Sequence, residues 1–404
     1  MFGRKLKLDT VGRGFNLQGN LWKLYAIQVC RWFLLLMPVL VLFFQEIGLD
    51  LQDVFTIQAF YSVCVILFEV PSGYFADRLG RRRSLLIGSI AAAAGFWVYA
   101  LATTFADFFV AQFFIAVGGS FISGSDSAML YDTLIQLRRR NEYQKVAGRL
   151  ASMANFSEGI AALIGGSLAL ISLRTPLYSQ AVLMLAVIPL AWSLVEPPRK
   201  TPDPSEGSFK AVLRIVRYAL HGHSEIKWLI LYSSLVGTST LTIVWMVQPY
   251  LQAVDLPLEW FGAAWAILQF SVGVFAVNAY RVEAAFGRKA SLISLILLSA
   301  AGYLLLGLFQ ALWATVFLLV FYLVRGINGP VMNDYINRCV DSEIRATVLS
   351  VKSLVGRLMF TIIGPMAGWV NDQYGLSMAF LVCGFTFLLF GVVFLLFLQR
   401  NRIL

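Results

Sequence analysis

The sequence predicts an all-α integral membrane protein with twelve transmembrane helices, on three observations. Hydrophobic residues make up 59% of 404 positions and charged residues only 13%, against about a quarter charged in soluble chains. Apolar runs of about 20 residues, the length that crosses a bilayer as a helix, recur along the whole chain. The basic residues cluster in alternate connections between those runs.

The runs fall at 22–44, 54–76, 84–103, 107–131, 146–171, 178–195, 228–251, 260–282, 289–309, 312–333, 346–370 and 377–398. Six precede residue 196 and six follow residue 227, so the chain divides into helical bundles over 1–195 and 228–404 joined by a cytoplasmic linker over 196–227. The first run is too long for a cleaved signal peptide, contains Arg31 and lacks a small-residue cleavage site. With both termini cytoplasmic, 28 of the 32 Lys and Arg residues fall in cytoplasmic segments or at the cytoplasmic ends of the runs, Arg31, Arg325 and Arg357 lie well inside spans, and Arg174 alone faces outward. Outward turns carry Glu46, Asp50, Asp53, Asp255 and Glu259 instead. That asymmetry is the positive-inside pattern. It assigns the net charge of +10 to helix orientation and contact with anionic lipid, and excludes nucleic acid as a partner.

The linker opens with Pro197 and Pro198 and continues through Pro202 and Pro204, which cannot extend a helix. Beyond them Phe209, Val212, Leu213, Val216 and Leu220 recur at helical spacing beside a basic stripe of Lys210, Arg214, Arg217 and His221, the pattern of a helix lying on the membrane surface. The four cysteines have no paired spacing and are expected as free buried thiols.

The turn after the second run reads Gly73-Tyr74-Phe75-Ala76-Asp77-Arg78-Leu79-Gly80-Arg81-Arg82-Arg83, which satisfies G-x-x-x-D-R-x-G-R-R at every specified position. On this motif and the span count the chain resembles the major facilitator superfamily. The resemblance implies two pseudo-symmetric six-helix bundles and alternating access, with monomeric function. It also implies a cytoplasmic latch built on Asp77 and Arg81, with Gly73, Arg78, Gly80 and Arg82 in the same turn and Asp132 at the end of span 4 as partner. Gly73 is expected to permit close helix contact and Gly80 a tight turn. A degenerate copy follows span 8, where Gly287-Arg288-Lys289 survives but Ala284 holds the acidic position.

Charges within spans are costly, about 2.5–3.5 kcal/mol at a helix centre. Glu158 and Arg357 lie near the middle of spans 5 and 11, Arg31 and Arg325 slightly to the cytoplasmic side in spans 1 and 10, and Asp126 deeper toward the cytoplasm in span 4. In the superfamily these spans line or flank the central cavity, so the resemblance makes all five candidates for substrate or coupling roles. Glu158 is the leading proton carrier, with a permanent Glu158–arginine pair as the structural alternative. Span 7 adds Thr238, Ser239, Thr240, Thr242, Trp245 and Gln248, which serve either substrate contact or helix packing. Gly159, Gly165 and Gly166 in span 5 and Gly364, Pro365 and Gly368 in span 11 allow close approach or bending. Drug–proton antiporters of the superfamily carry a Gly-Pro-rich motif in span 5, and Ile164 stands here where its proline would be.

No G-x-x-x-x-G-K-[ST] loop, metal-ligand cluster or nucleophile–His–acid set occurs, so no enzyme activity, catalytic residue or cofactor is expected. The function expected is movement of a small organic solute, with proton-coupled efflux of an amphipathic or cationic compound as the leading form. An organic anion clamped by Arg31 and Arg325 is the alternative within transport. A non-transporting receptor or lipid scramblase on the same fold is the alternative outside it. The location expected is the plasma membrane, the inner membrane of a bacterium.

Overall fold

The computed structural model describes residues 2–198, 216–341 and 344–401. Most of the surface-membrane helix expected in the linker, including Phe209, Lys210, Val212, Leu213 and Arg214, lies outside the described residues. Helix carries almost all of the rest, as a bilayer requires of a chain that is not a closed barrel, because every backbone donor and acceptor must be satisfied internally. The helices are α1 (Phe2–Trp32), α2 (Leu40–Glu46), α3 (Leu51–Leu79), α4 (Arg81–Leu101), α5 (Phe105–Ile122), α6 (Ser125–Gln136) and α7 (Tyr143–Ala169). They continue as α8 (Thr175–Leu185), α9 (Val187–Trp192), α10 (Ser224–Ala253), α11 (Phe261–Leu308), α12 (Leu318–Arg338), α13 (Arg345–Tyr374) and α14 (Leu376–Arg400).

Among the described residues, ten segments are long and apolar enough to cross a membrane. One of them, Leu258–Leu308, is 51 residues long and has non-helical geometry at Gly287, with φ 74° and ψ 168°. The two runs read at 260–282 and 289–309 both fall on it. The run read at 146–171 is helical as the 27-residue α7, but Asn155, Ser157 and Glu158 near its centre keep it below the hydropathy of the ten.

Two spans expected to be continuous are broken. The first is helical to Trp32, opens over residues 33–36, and resumes through a 3₁₀ turn at Met37–Val39 into α2. Pro38 in that turn has no amide to give a helix. The fourth stops at Ile122 and restarts at Ser125 after Gly124, whose φ of 78° is accessible to glycine at little cost.

The chain forms two compact units. Unit one comprises Met1–Leu36, Cys64–Ala161 and Arg174–Gly207; unit two comprises Met37–Val63, Ala162–Leu173 and Ser208–Leu404. Within unit one, fully buried Asn20 ties α1 to the end of α6 and to the segment that leaves α9. Its Nδ2 donates to Thr133 Oγ1 at 3.3 Å and to the Val195 carbonyl at 2.8 Å, and its Oδ1 accepts from the Val195 amide at 2.9 Å.

Within unit two, ends of α3 and α7 pack on the later helices with no room for a side chain at two crossings. A Cβ on Gly166 would stand 2.6 Å from the Gly262 Cα, and a Cβ on Gly368 would stand 2.6 Å from the Gln52 Cα. The close approach expected of spans 5 and 11 is therefore present at Gly166 and Gly368. Asp372, one turn beyond Gly368, accepts from the amides of Leu51 at 3.3 Å and Gln52 at 2.7 Å, so a carboxylate caps the N-terminus of α3. Gly368→Val is expected to push these helices apart at a cost of about 1–3 kcal/mol, read as a lowered melting temperature of the purified protein; an unchanged melting temperature would refute the contact.

The break in the first span leaves amides and carbonyls without helical partners, and two buried glutamines take them up. In unit one the Gln180 side-chain oxygen accepts from the Leu35 amide at 2.9 Å. In unit two Gln248, 1% exposed, accepts from the amides of Val41 at 2.8 Å and Leu42 at 3.4 Å and donates to the Met37 carbonyl at 2.7 Å. Broken helices persist at membrane depth where neighbouring groups satisfy the freed backbone in this way.

Candidate functional site

Both breaks place a charge at a helix end that favours it. Arg31 lies in the last turn of α1, where the exposed carbonyls favour a cation, and Asp126 lies in the first turn of α6, where free amides favour an anion. Their side chains meet, with Arg31 Nη1 3.3 Å from Asp126 Oδ2 and exposures of 18% and 26%. Asp126 Oδ1 also accepts from the Ser127 amide and hydroxyl. Beside the pair is a cavity of about 150 Å³ whose polar wall is Gln28, Asp126, Ser127 and Tyr143, set against apolar residues of α1, α6 and α7. At about 30 Å³ per water this is room for about five waters, below the range of sites that take an organic ligand of ordinary size. Water reaching the Asp126 carboxylate is the chemistry this volume allows.

Glu158 is 7% exposed in the middle of α7, in the same unit. Arg357, on α13, stands 6.0 Å from the Tyr61 ring centroid, at the limit of a cation–π contact. Arg325, on α12, keeps Nη1 buried and without a hydrogen-bond partner among the described residues. Of the five candidate intramembrane charges, therefore, Arg31 and Asp126 form an ion pair. Arg31 is already held by a carboxylate, which counts against it as one arm of an anion clamp. Lys352, which the charge pattern places with the cytoplasmic residues, is instead inside the segment Thr347–Tyr374, its ammonium donating to Asn333 Oδ1 at 2.7 Å. The signal was available, since an apolar run beginning at residue 346 includes it.

The polar face of span 7 is occupied with packing. Ser239, Thr240 and Thr242 donate to the carbonyls of Val236, Gly237 and Thr238 within α10, and Thr238 donates across to Gly356 at 3.3 Å.

The turn between α3 and α4 assembles a second charged cluster in unit one. Gly80 has φ 111°, a conformation that a side chain would strain, and it redirects the chain so that Arg81 opens α4. Arg81, 18% exposed, bridges two carboxylates: Nη1 lies 2.9 Å from Asp77 Oδ1 and Nε lies 3.1 Å from Asp132 Oδ2. Arg82 donates to the Trp192 carbonyl at 3.0 and 2.6 Å, and Arg78 stacks 5.1 Å from the Tyr74 ring. At Gly73, where close helix contact is expected, a Cβ would meet nothing within 4 Å among the described residues.

Sequence reasoning missed Glu196. Its carboxylate accepts from the amides of Arg81 at 2.9 Å and Arg82 at 2.7 Å, supplying the anion that the N-terminus of α4 favours. The one signal was an acidic residue between the end of span 6 and Pro197, in a segment otherwise read as linker. Glu196→Ala is expected to cost about 0.5–2 kcal/mol, measured as a lowered melting temperature; retention of the wild-type value would remove Glu196 from the cluster.

The corresponding turn in unit two pivots at Gly287, φ 74°, and is built differently. Arg288 Nη2 lies 3.1 Å from Glu225 Oε1, and its guanidinium stacks 4.7 Å over Tyr335, whose hydroxyl donates to Glu283 Oε1 at 2.9 Å. An aromatic ring on α12 thus meets the arginine where unit one uses the Asp132 carboxylate. In the loop before α7, the Arg139 guanidinium holds the Glu142 carboxyl below its ordinary range. That pairing is present at neutral pH and is lost in acid as the carboxyl protonates. Among the described residues no group of three or more His, Cys, Asp or Glu side chains is placed to hold a metal ion.

Comparison with known proteins fits this architecture. The family model of the Major Facilitator Superfamily matches residues 24–351. The MFS-type transporter YxaM of Bacillus subtilis is 24% identical over 380 residues, covering 88% of this chain and 90% of its own. The tetracycline resistance protein, class H, of Pasteurella multocida is 22% identical over 323 residues, 76% of each chain. Among solved structures, the nucleoside transporter NupG superposes with a TM-score of 0.76 at 16% identity, covering 96% of this chain and 99% of its own. A bacterial homologue of the lysosomal transporter Spinster, inward-facing and occupied, gives 0.74 at 16% identity over 96% and 97%. At such identities the structures share the fold alone.

Proposed function

The chain belongs to the Major Facilitator Superfamily, and on that premise we propose that this integral membrane transporter exports an amphipathic or cationic compound in exchange for protons. The observation that carries the reading is the Arg31–Asp126 pair at two helix breaks, beside a cavity sized for water. Protonation of Asp126 removes the charge that holds Arg31, so a proton arriving through the cavity frees the broken end of α1 from the first turn of α6, while Asn20 still ties the two helices further along. Deprotonation restores the pair. Glu158, buried in α7 of the same unit, is the second carboxylate of the exchange. Likeness to a tetracycline resistance protein adds support for efflux.

The distribution of basic residues supports cytoplasmic termini in an inner membrane, with lipid contact at the basic loops, and the protein works as a monomer. In that orientation the Asp77–Arg81–Asp132 cluster is the cytoplasmic latch, with Gly80, Arg78 and Arg82 shaping its turn. Arg357 and Arg325 contribute from the second half.

A second reading, transport of an organic anion, is favoured by one observation: Arg325 holds a buried guanidinium nitrogen without a hydrogen-bond partner among the described residues. A thermal-shift screen of the purified protein separates the two. Stabilisation by cationic amphiphiles that depends on pH and disappears in Glu158→Gln is the expected result. Stabilisation by organic anions that vanishes in Arg31→Ala or Arg325→Ala would overturn it.

A further inference from the structure

A second cavity, mostly apolar in its lining, is separate from the Arg31–Asp126 pair. It lies within unit two, where α2 ends, α10 ends and α11 begins, and measures about 350 Å³, inside the range that holds small organic ligands. Its floor is apolar, with Leu42 and Phe261 buried at 7% and 2% exposure and Leu256 on the wall. Its rim carries one charge, Glu46, and two amides, Gln45 and Gln252, all three exposed.

Charge selects the class of occupant. Glu46 has no ion-pair partner among the described residues. The turn that contributes Leu256 also carries Asp255 and Glu259, so an anion would be repelled. The single basic residue expected at this end of the fold, Arg174, directs its guanidinium to the carbonyls of Ala100 and Ala102 at 3.1 and 2.9 Å. A neutral apolar molecule would fill the floor and leave the carboxylate unused. We propose that this cavity binds an organic cation with an apolar body, its charge against Glu46 and its hydrocarbon against Leu42, Leu256 and Phe261. The site stands on its own geometry and holds whether or not the protein exports cations.

Photolabelling tests it. Purified full-length protein in lipid nanodiscs is irradiated with azidobenzyl trimethylammonium, with no gradient imposed, and labelled peptides are located by mass spectrometry. Label is expected within residues 252–261, reduced about fivefold in Glu46→Gln, the scale of one exposed charge contact, and reduced further in Leu256→Trp, which fills the cavity. Glu46 is exposed, so its amide variant retains the fold. Absence of label from this segment, equal labelling of Glu46→Gln, or equal labelling by neutral azidobenzyl alcohol would each overturn the proposal. Because no transport is measured, failure here leaves the export reading intact, and failure of export leaves this site intact.

Discussion

Asp126→Asn is expected to abolish gradient-driven transport while sparing substrate exchange. The amide keeps the shape of the side chain and its contacts with Ser127 but lacks the charge that holds Arg31 at 3.3 Å, so it imitates the protonated carboxyl permanently. Driven accumulation should fall by about tenfold or more, equivalent to about 1.4 kcal/mol of lost coupling, whereas counterflow of labelled substrate with no gradient should stay within about twofold, a change of under about 1 kcal/mol. Both assays use the same proteoliposomes. Equal loss in the two would make Asp126 a binding group and not the coupling group, and no loss in either would leave the pair structural.

Gln248→Ala is expected to give the largest stability change of any substitution considered. Truncation leaves the Val41 amide and the Met37 carbonyl without the partners that lie at 2.8 and 2.7 Å, in a position 1% exposed where water cannot replace them. Each buried polar group left unsatisfied costs about 1–3 kcal/mol, so the sum over the two groups is about 2–6 kcal/mol. Gln248→Glu retains the acceptor for Val41 and loses the donor to Met37, and should fall between. Unfolding of the purified variants in a denaturant series measures this; a variant within about 0.5 kcal/mol of wild type would show that the broken span does not depend on the glutamine.

The sequence was most legible where bilayer physics acts on composition. Long apolar runs must become helices because lipid offers no other partner for the backbone, and the runs drawn from hydropathy fall on helices apart from the openings at residues 33–36 and 123–124. The Asp77–Arg81–Asp132 cluster was legible through the superfamily resemblance that the Gly73–Arg82 motif carries, which pointed to Asp132 as the partner; the structure places Arg81 against both carboxylates. What hydropathy could not reveal is where a helix opens. The stretches from Phe33 to Val39 and from Ile122 to Ser125 are as apolar or small as their surroundings. Their breaks depend on glutamines about 150 and 200 residues away in sequence, or on a single glycine conformation. Glu196 escaped for a related reason: its partners are two amides of α4, and backbone groups leave no mark in a residue pattern. Gly73 suggests close contact by its place in the motif, and a Cβ there would meet nothing within 4 Å among the described residues.

The measurement that tests the central claim most directly is proton movement during transport. Proteoliposomes loaded with a pH-sensitive dye, and given a cationic compound that stabilises the protein in the thermal-shift screen, should show proton flux opposite to the compound and dependent on its gradient, absent in Asp126→Asn. Transport of the compound with no accompanying proton flux, or flux unchanged in Asp126→Asn, would contradict coupling through the Arg31–Asp126 pair.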